Sequence, residues 1–413
     1  VLIANAITII TTLSFSAVAT NVKVGAGGAY HIISRSLGIE IGGAIGLPLF
    51  LSQAFSVTLY AYGLAESFRI IQPDLPLMPV ALGVIVLVGA LAYFGSEYAL
   101  KAQVPLLALV GISLVALAVG AVMKSDVAIP LSPPSGEVGF WVGFAVFFPA
   151  VTGVMAGLGL SGDLRDPGFS LPRGSLLAVL AGLVVYLVVP VLLVIGASRE
   201  ELQNDPLVWS RIAVLGPVLI LPGLWAAIFS SAVGSILGAP RTLQALARDG
   251  LAPRFLGRSR GGNSDLVPAL LVSVGLALAA VFLGDLNSVA SVVTMFFLTV
   301  YGMVNLVAAF EALSGDPSWR PRLRSPWIVN LAGGLGCLAV MMLINPAVGG
   351  IAIVAELGLW LLLSRRENRA RWGDARYGLY ESLIRWARIK LSAHTVAPRN
   401  WRPHLLVFVE DIR

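Results

Sequence analysis

The chain has 413 residues, of which 57% are hydrophobic and only 12% charged, with a formal net charge of +6. A soluble domain carries roughly twice that charged fraction, so an ordinary soluble enzyme or binding module is excluded. The single cysteine, Cys337, permits no internal disulfide, and His31, His394 and His404 do not cluster, so no Cys/His metal spacing is present.

Apolar runs near 20 residues recur along the chain, the pattern of many spanning helices. Eleven spans are predicted, at 1–20, 41–67, 77–94, 100–122, 140–160, 171–195, 214–246, 267–283, 288–313, 327–344 and 348–364. The first begins at Val1, inside an apolar run without the basic flank and cleavage site of a signal peptide, so the chain reads as missing its beginning. "GAGGAY" at Gly25 to Tyr30 fits neither GxGxxG nor a phosphate-binding P-loop. With the 21–40 connection on one side and strict alternation, the other side holds only Arg69, Lys124, Arg199 and Arg211. All other Lys and Arg fall on the first side, which is cytoplasmic by the positive-inside rule. The positive charge is therefore topogenic, with attraction to anionic lipid a secondary gain, and calls for no nucleic acid. Residues 365–398 turn basic and amphipathic, suited to the membrane surface. Residues 399–413 read as the first strand of a truncated cytosolic domain.

The fifth span carries "FFPAVTGVMAG", Phe147 to Gly157. Pro149 cannot donate a backbone hydrogen bond and Gly153 lets the chain turn, so a helix break is predicted at membrane depth. Such breaks are tolerated where they line a buried site or a watery cavity. Half-helix N-termini then offer amides to anions, and freed carbonyls serve cations. Gly153, Val154 and Met155 would begin the second half-helix, and Thr152 adds a hydroxyl. The competing reading is a proline kink in a packed helix. Within the spans almost no carboxylate or base sits near mid-depth; Glu66 and Glu311 lie near span ends, and Glu356 in the last span is the exception. It reads either as a functional charge or as a neutral or paired group at a subunit contact. Asn5, Thr8, Thr12 and Ser16 repeat along one face of the first span, as a path lining or as interhelical hydrogen bonding.

"FFPAVTGVMAGLGLSGDLRDPGFSLPRG" resembles the sixth helix and following loop of the cation–chloride cotransporters. "GAGGAYHIISRSLGIEIGGAIGL", "SSAVGSILGAPRTLQALARDGLAP", "FFLTVYGMVNL", "PSWRPRLR" and "RNWRPHLLVF" resemble other blocks of that family, in the family's order. The resemblance spans nearly the whole chain and places it in the amino acid–polyamine–organocation superfamily. It implies an all-α polytopic membrane protein with a LeuT-like inverted-repeat fold, two five-helix repeats plus two helices. Here 1–364 would be the transporter domain from the family's second helix onward, the first helix being absent.

The resemblance also carries site residues. Tyr60, Pro149 through its carbonyl, and Thr152 match potassium ligands, with Tyr62 a neighbouring rival to Tyr60. Gly153, Val154 and Met155 match chloride-binding amides, and Tyr301 matches a phenol that donates to that chloride. Ser230 and Ser231, with the Ala227 carbonyl, match the sodium site of sodium-dependent members, whereas "GAPR" at Gly238–Arg241 looks more like the potassium–chloride branch. Asp163 or Asp166 would serve an inner gate, or simply shape a loop. The implied function is electroneutral cotransport of chloride with potassium, sodium being the open question, by alternating access in a plasma-membrane homodimer. No ATP, haem or metal cofactor is implied beyond the transported alkali cations. Two rivals stand beside it: an amino acid permease of the same superfamily, and a non-transporting membrane scaffold.

Overall fold

The computed structural model describes residues 1–21, 27–94, 96–124, 139–159, 164–205, 207–257, 266–314, 319–365 and 375–392. The expected strand at 399–413, His394, His404 and Asp163 lie outside these residues. Everything described is helix or connection. The spanning elements are α1 Leu2–Asn21, α3 Ile39–Arg69, α4 Leu77–Phe94, α5 Ser96–Met123, α8 Pro167–Gly196 and α11 Pro217–Arg248. They continue with α12 Val267–Ala280, α13 Leu286–Ser314, α14 Trp327–Ile344 and α15 Pro346–Ser364. The predicted fifth span is broken into α6 Phe140–Phe147, a 3-10 turn at Phe148–Val151, and α7 Val154–Gly159. Among the described residues, nine helices are long and apolar enough to cross a membrane, and Phe140–Val151 and Val267–Leu283 are shorter apolar segments. Together these are the eleven predicted spans, with ends shifted by a few residues.

Burial divides the spans into two kinds. In α3 and α13 78% of the most apolar window is buried inside the protein, and in α1 67%, against 6% in α8 and 11% in α15. Hydropathy alone does not make this division, because lipid and protein interior are equally apolar. What marks the inner helices is small and hydroxyl side chains, which let backbones approach and supply hydrogen bonds across helices. Thus α3 packs along α11 and α13, and α13 along α14. At Gly333 of α14 a Cβ would stand 2.9 Å from Asn305 Oδ1 of α13, so glycine is what admits the asparagine there.

Three short helices were not predicted. In the 21–40 connection, α2 Ala29–Leu37 tucks against α3, α7 and α13. Its entry residue Gly28 has φ of +54° and lies so close to α7 that a Cβ would meet the Leu158 carbonyl oxygen at 2.8 Å. Both facts require glycine. Tyr30 donates to Asp249 Oδ2 at 2.6 Å and Arg35 pairs with Asp249 Oδ1 at 3.0 Å, tying α2 to the end of α11. Burial beside Arg35 holds the His31 imidazole below its ordinary pKa. Between α8 and α11 lie α9 Arg199–Asn204 and α10 Val208–Ile212. The first opens on a capping box: Ser198 accepts from the Glu201 amide while the Glu201 carboxylate accepts from Ser198. α10 joins α5, α8 and α11 in a second small core around Leu117 and Ile212. Finally, α16 Ala375–Ser392 exposes Ile384, Trp386 and Ile389 beside Arg385 and Arg388.

Candidate functional site

Pro149 has no amide hydrogen, so the Ala145 carbonyl four residues earlier cannot be closed within α6. The Thr294 hydroxyl of α13 takes the missing place at 2.9 Å, shared with its own Ala290 carbonyl at 2.8 Å. Beyond the proline the chain tightens into the 3-10 turn and then leaves helix at Thr152 and Gly153. Four consecutive carbonyls each receive a neutral hydroxyl; those of Pro149 and Thr152 also keep a backbone partner, the Thr152 amide at 3.2 Å and the Met155 amide at 3.4 Å. Pro149 accepts from the Thr152 side chain at 2.7 Å. Ala150 accepts from Tyr186 of α8 at 2.7 Å. Val151 accepts from Thr8 of α1 at 3.2 Å, and Thr152 from Tyr301 of α13 at 2.9 Å. An unpaired carbonyl in hydrocarbon costs several kcal/mol, so these hydroxyls from three other helices are what make the break tenable.

The phenol of Tyr301 is fully buried, with Phe148 and Phe297 tilted against its ring at centroid distances of 6.1 and 6.2 Å. One turn further along α13, Asn305 fixes the helix. Its Nδ2 donates to the Tyr301 carbonyl at 2.9 Å and to Thr11 Oγ1 at 2.8 Å, while Ser14 donates to its Oδ1 at 2.5 Å. Ser14 also stands 3.0 Å from Asn330 Oδ1 of α14, which Ser325 approaches from the other side. A fully buried neutral polar cluster thus holds α1, α13 and α14 together behind Tyr301.

Beside the break lies a cavity of about 340 Å³, walled by α1, α7, the 3-10 turn and α8. Asn5 and Thr8 of the predicted polar stripe reach it, as do Ala150, Gly153, Val154 and Tyr186. The stripe's other members turn elsewhere: Thr12 bonds back to the Thr8 carbonyl, and the Ser16 hydroxyl is buried without a partner. Thr11 and Ser14, off the stripe, make the bonds to α13.

The predicted residues come together unevenly. Pro149, Thr152, Gly153, Val154, Met155 and Tyr301 form one continuous constellation. Tyr301 donates to the Thr152 carbonyl, and the Met155 amide also uses that oxygen at 3.4 Å. Tyr60 of α3 is half-buried and packs against the main hydrophobic core. Its rival Tyr62 is committed elsewhere, donating to the Val281 carbonyl at 2.6 Å. Ala227, Ser230 and Ser231 lie on α11. Ser231 is exposed and donates to the Ala227 carbonyl at 2.9 Å, the back-bond common for serine in helices, and Ser230 is half-buried. Asp166 occupies the N-cap position of α8 without a capping bond. Glu356 lies half-buried on α15. Among the described residues no group of three His, Cys, Asp or Glu could hold a metal. Two site residues escaped the sequence reading, Thr294 and Tyr186, because a hydroxyl that closes a carbonyl about 150 or 36 positions away leaves no local signal.

A bundle of membrane-spanning helices around a hydroxyl-lined break defines a polytopic α-helical membrane protein of transporter type. The model of the amino acid permease family matches residues 1–407, and the chain belongs to that family. It is similar to solute carrier family 12 member 2 of Mus musculus, 30% identical over 98% of this chain and 39% of the relative. Solute carrier family 12 member 1 of Homo sapiens is 31% identical over 98% and 43%, respectively. Member 2 of Squalus acanthias is 30% identical over 98% and 39%. Solute carrier family 12 is the cation–chloride cotransporter family that the sequence blocks resemble. The chain spans about two fifths of the length of these relatives.

Proposed function

We propose that this chain is the membrane part of an electroneutral cation–chloride cotransporter, moving chloride with potassium by alternating access. The observation that supports it best is the chemistry of the break: four successive carbonyls, each held by a neutral hydroxyl, with no charged side chain among the groups that hold them. Bringing a lone ion into such surroundings costs on the order of 20 kcal/mol in the Born limit. A cation and an anion a few ångström apart offset much of that cost for each other. Dipoles that bring no net charge of their own therefore suit a neutral pair of ions better than either alone.

In this reading Tyr60, Pro149 and Thr152 bind potassium, and the amides of Gly153, Val154 and Met155 with the Tyr301 phenol bind chloride. The Tyr301 hydroxyl has one proton. Directed at chloride, it releases the Thr152 carbonyl to the cation, so arrival of one ion prepares the place of the other. The Ala227 carbonyl with Ser230 and Ser231 is the proposed sodium site, its two adjacent oxygens on α11 supporting a small-cation cage. The protein is further proposed to work as a homodimer in the plasma membrane, with the segment after α15 cytosolic and against the lipid surface.

The test is rubidium uptake into proteoliposomes containing the full-length protein. Uptake that requires external chloride, and sodium if the serine site is used, is expected. Uptake indifferent to chloride contradicts the reading. One observation favours an amino acid permease instead: a cavity of about 340 Å³ exceeds what two small ions fill, and the Gly153 and Val154 backbone on its wall suits an α-carboxylate. Stimulation by amino acids in the absence of chloride would decide for that alternative.

A further inference from the structure

We propose that Tyr186 of α8 belongs to the cation site, forming its cavity-facing edge with the Ala150 carbonyl. This deepens, and rests on, the cotransport reading above. Of the four carbonyls at the break, those of Pro149, Val151 and Thr152 belong to buried residues. Ala150 is exposed and lies on the cavity wall, and the residue that holds it, Tyr186, is half-buried on the same wall. The Tyr186–Ala150 pair shares the cavity wall with the Thr8–Val151 pair, and Ala150 is the more exposed of the two carbonyl-bearing residues. The phenol directs its one proton at the carbonyl, 2.7 Å away, and keeps its own lone pairs for another partner. Two neutral oxygens side by side on the wall are one edge of a cage for a hard cation, which takes oxygen ligands. The ring is steered by Phe147, whose edge meets it at a centroid distance of 5.5 Å and 82°. Ala150 follows Pro149 directly, so the Tyr186–Ala150 pair adjoins the potassium ligand expected at the Pro149 carbonyl. Nothing in the sequence around Tyr186, an apolar stretch reading "LVVYLVV", marks it for this role.

The test measures chloride-dependent rubidium uptake by the full-length protein in proteoliposomes, as a function of rubidium and of chloride. Tyr186→Phe removes only the hydroxyl. It is expected to raise the half-saturating rubidium concentration roughly tenfold, the scale of one contact to a charged group, while half-saturating chloride moves far less. A purely structural tyrosine would lower the maximal rate and leave the rubidium constant alone, and that result overturns the proposal, as does a rubidium constant that falls. Phe147→Leu keeps the hydroxyl but loosens its aim, and should raise the same constant by a smaller factor. It decides the matter if Tyr186→Phe does not fold, an unchanged constant counting against the proposal. Absence of rubidium uptake by the unaltered protein defeats the cotransport reading and this proposal together. A transporting parent with an unshifted variant defeats only this one.

Discussion

At the scale of single residues, the break is a problem of unpaired carbonyls solved by borrowed hydroxyls. Thr294 shows it most plainly, since its proton replaces the one Pro149 lacks. Thr294→Val keeps the shape and leaves the Ala145 carbonyl unpartnered, which should cost about 1–3 kcal/mol and lower the thermal midpoint of the purified protein by several degrees. Tyr301→Phe should weaken chloride dependence, seen as a several-fold rise in the half-saturating chloride. Ser230→Ala should weaken sodium dependence if the α11 oxygens are used. Unchanged ion dependence in both would remove those assignments. Pro149 and Gly153 were legible because backbone chemistry is written in residue type. Tyr301 entered through the family resemblance and Thr8 through the polar stripe, whereas Tyr186 and Thr294 were not legible, because they act across long chain separations and resemble ordinary polar or aromatic residues of a membrane helix.

At the scale of elements, span existence was legible and short amphipathic helices were not. A span announces itself by about 20 apolar residues, whereas α2, α9 and α10 have nine or fewer and mixed character. The placement of α2 is the informative part. It leans on α7 at Gly28 and is tied to α11 through Asp249, so it couples the second half of the broken span to a neighbouring helix. Asp249→Asn weakens the Arg35 pair and the Tyr30 bond and should destabilise this corner by about 1–3 kcal/mol. Faster amide hydrogen exchange confined to α2 and the end of α11 is the expected sign. His31 adds a pH dependence of known sign. Its folded-state pKa lies below the unfolded value of 6.5, so the unfolded chain binds the proton more readily. The stability this residue contributes is complete above pH 6.5 and is lost as pH falls below it toward the depressed value. The thermal midpoint should drop between pH 7.5 and 5.5, and His31→Gln should flatten that drop.

At the scale of the whole molecule, the division between well-buried α1, α3 and α13 and weakly buried α8 and α15 places the break between a well-packed wall and a sparsely packed one. Behind Tyr301 stand the Asn305–Ser14–Asn330 cluster and the packed core. In front of Ala150 are the cavity and the weakly buried α8. Charge neutrality is the feature that most constrains function, and it was visible in the sequence as the near absence of ionisable residues near mid-depth in the spans. The direct measurement is electrical: full-length protein in proteoliposomes, held at a set membrane voltage, given rubidium and chloride on one side. Rubidium accumulation that depends on chloride and carries no net current is the result this account predicts. A sustained current accompanying uptake, scaling with voltage, would contradict it.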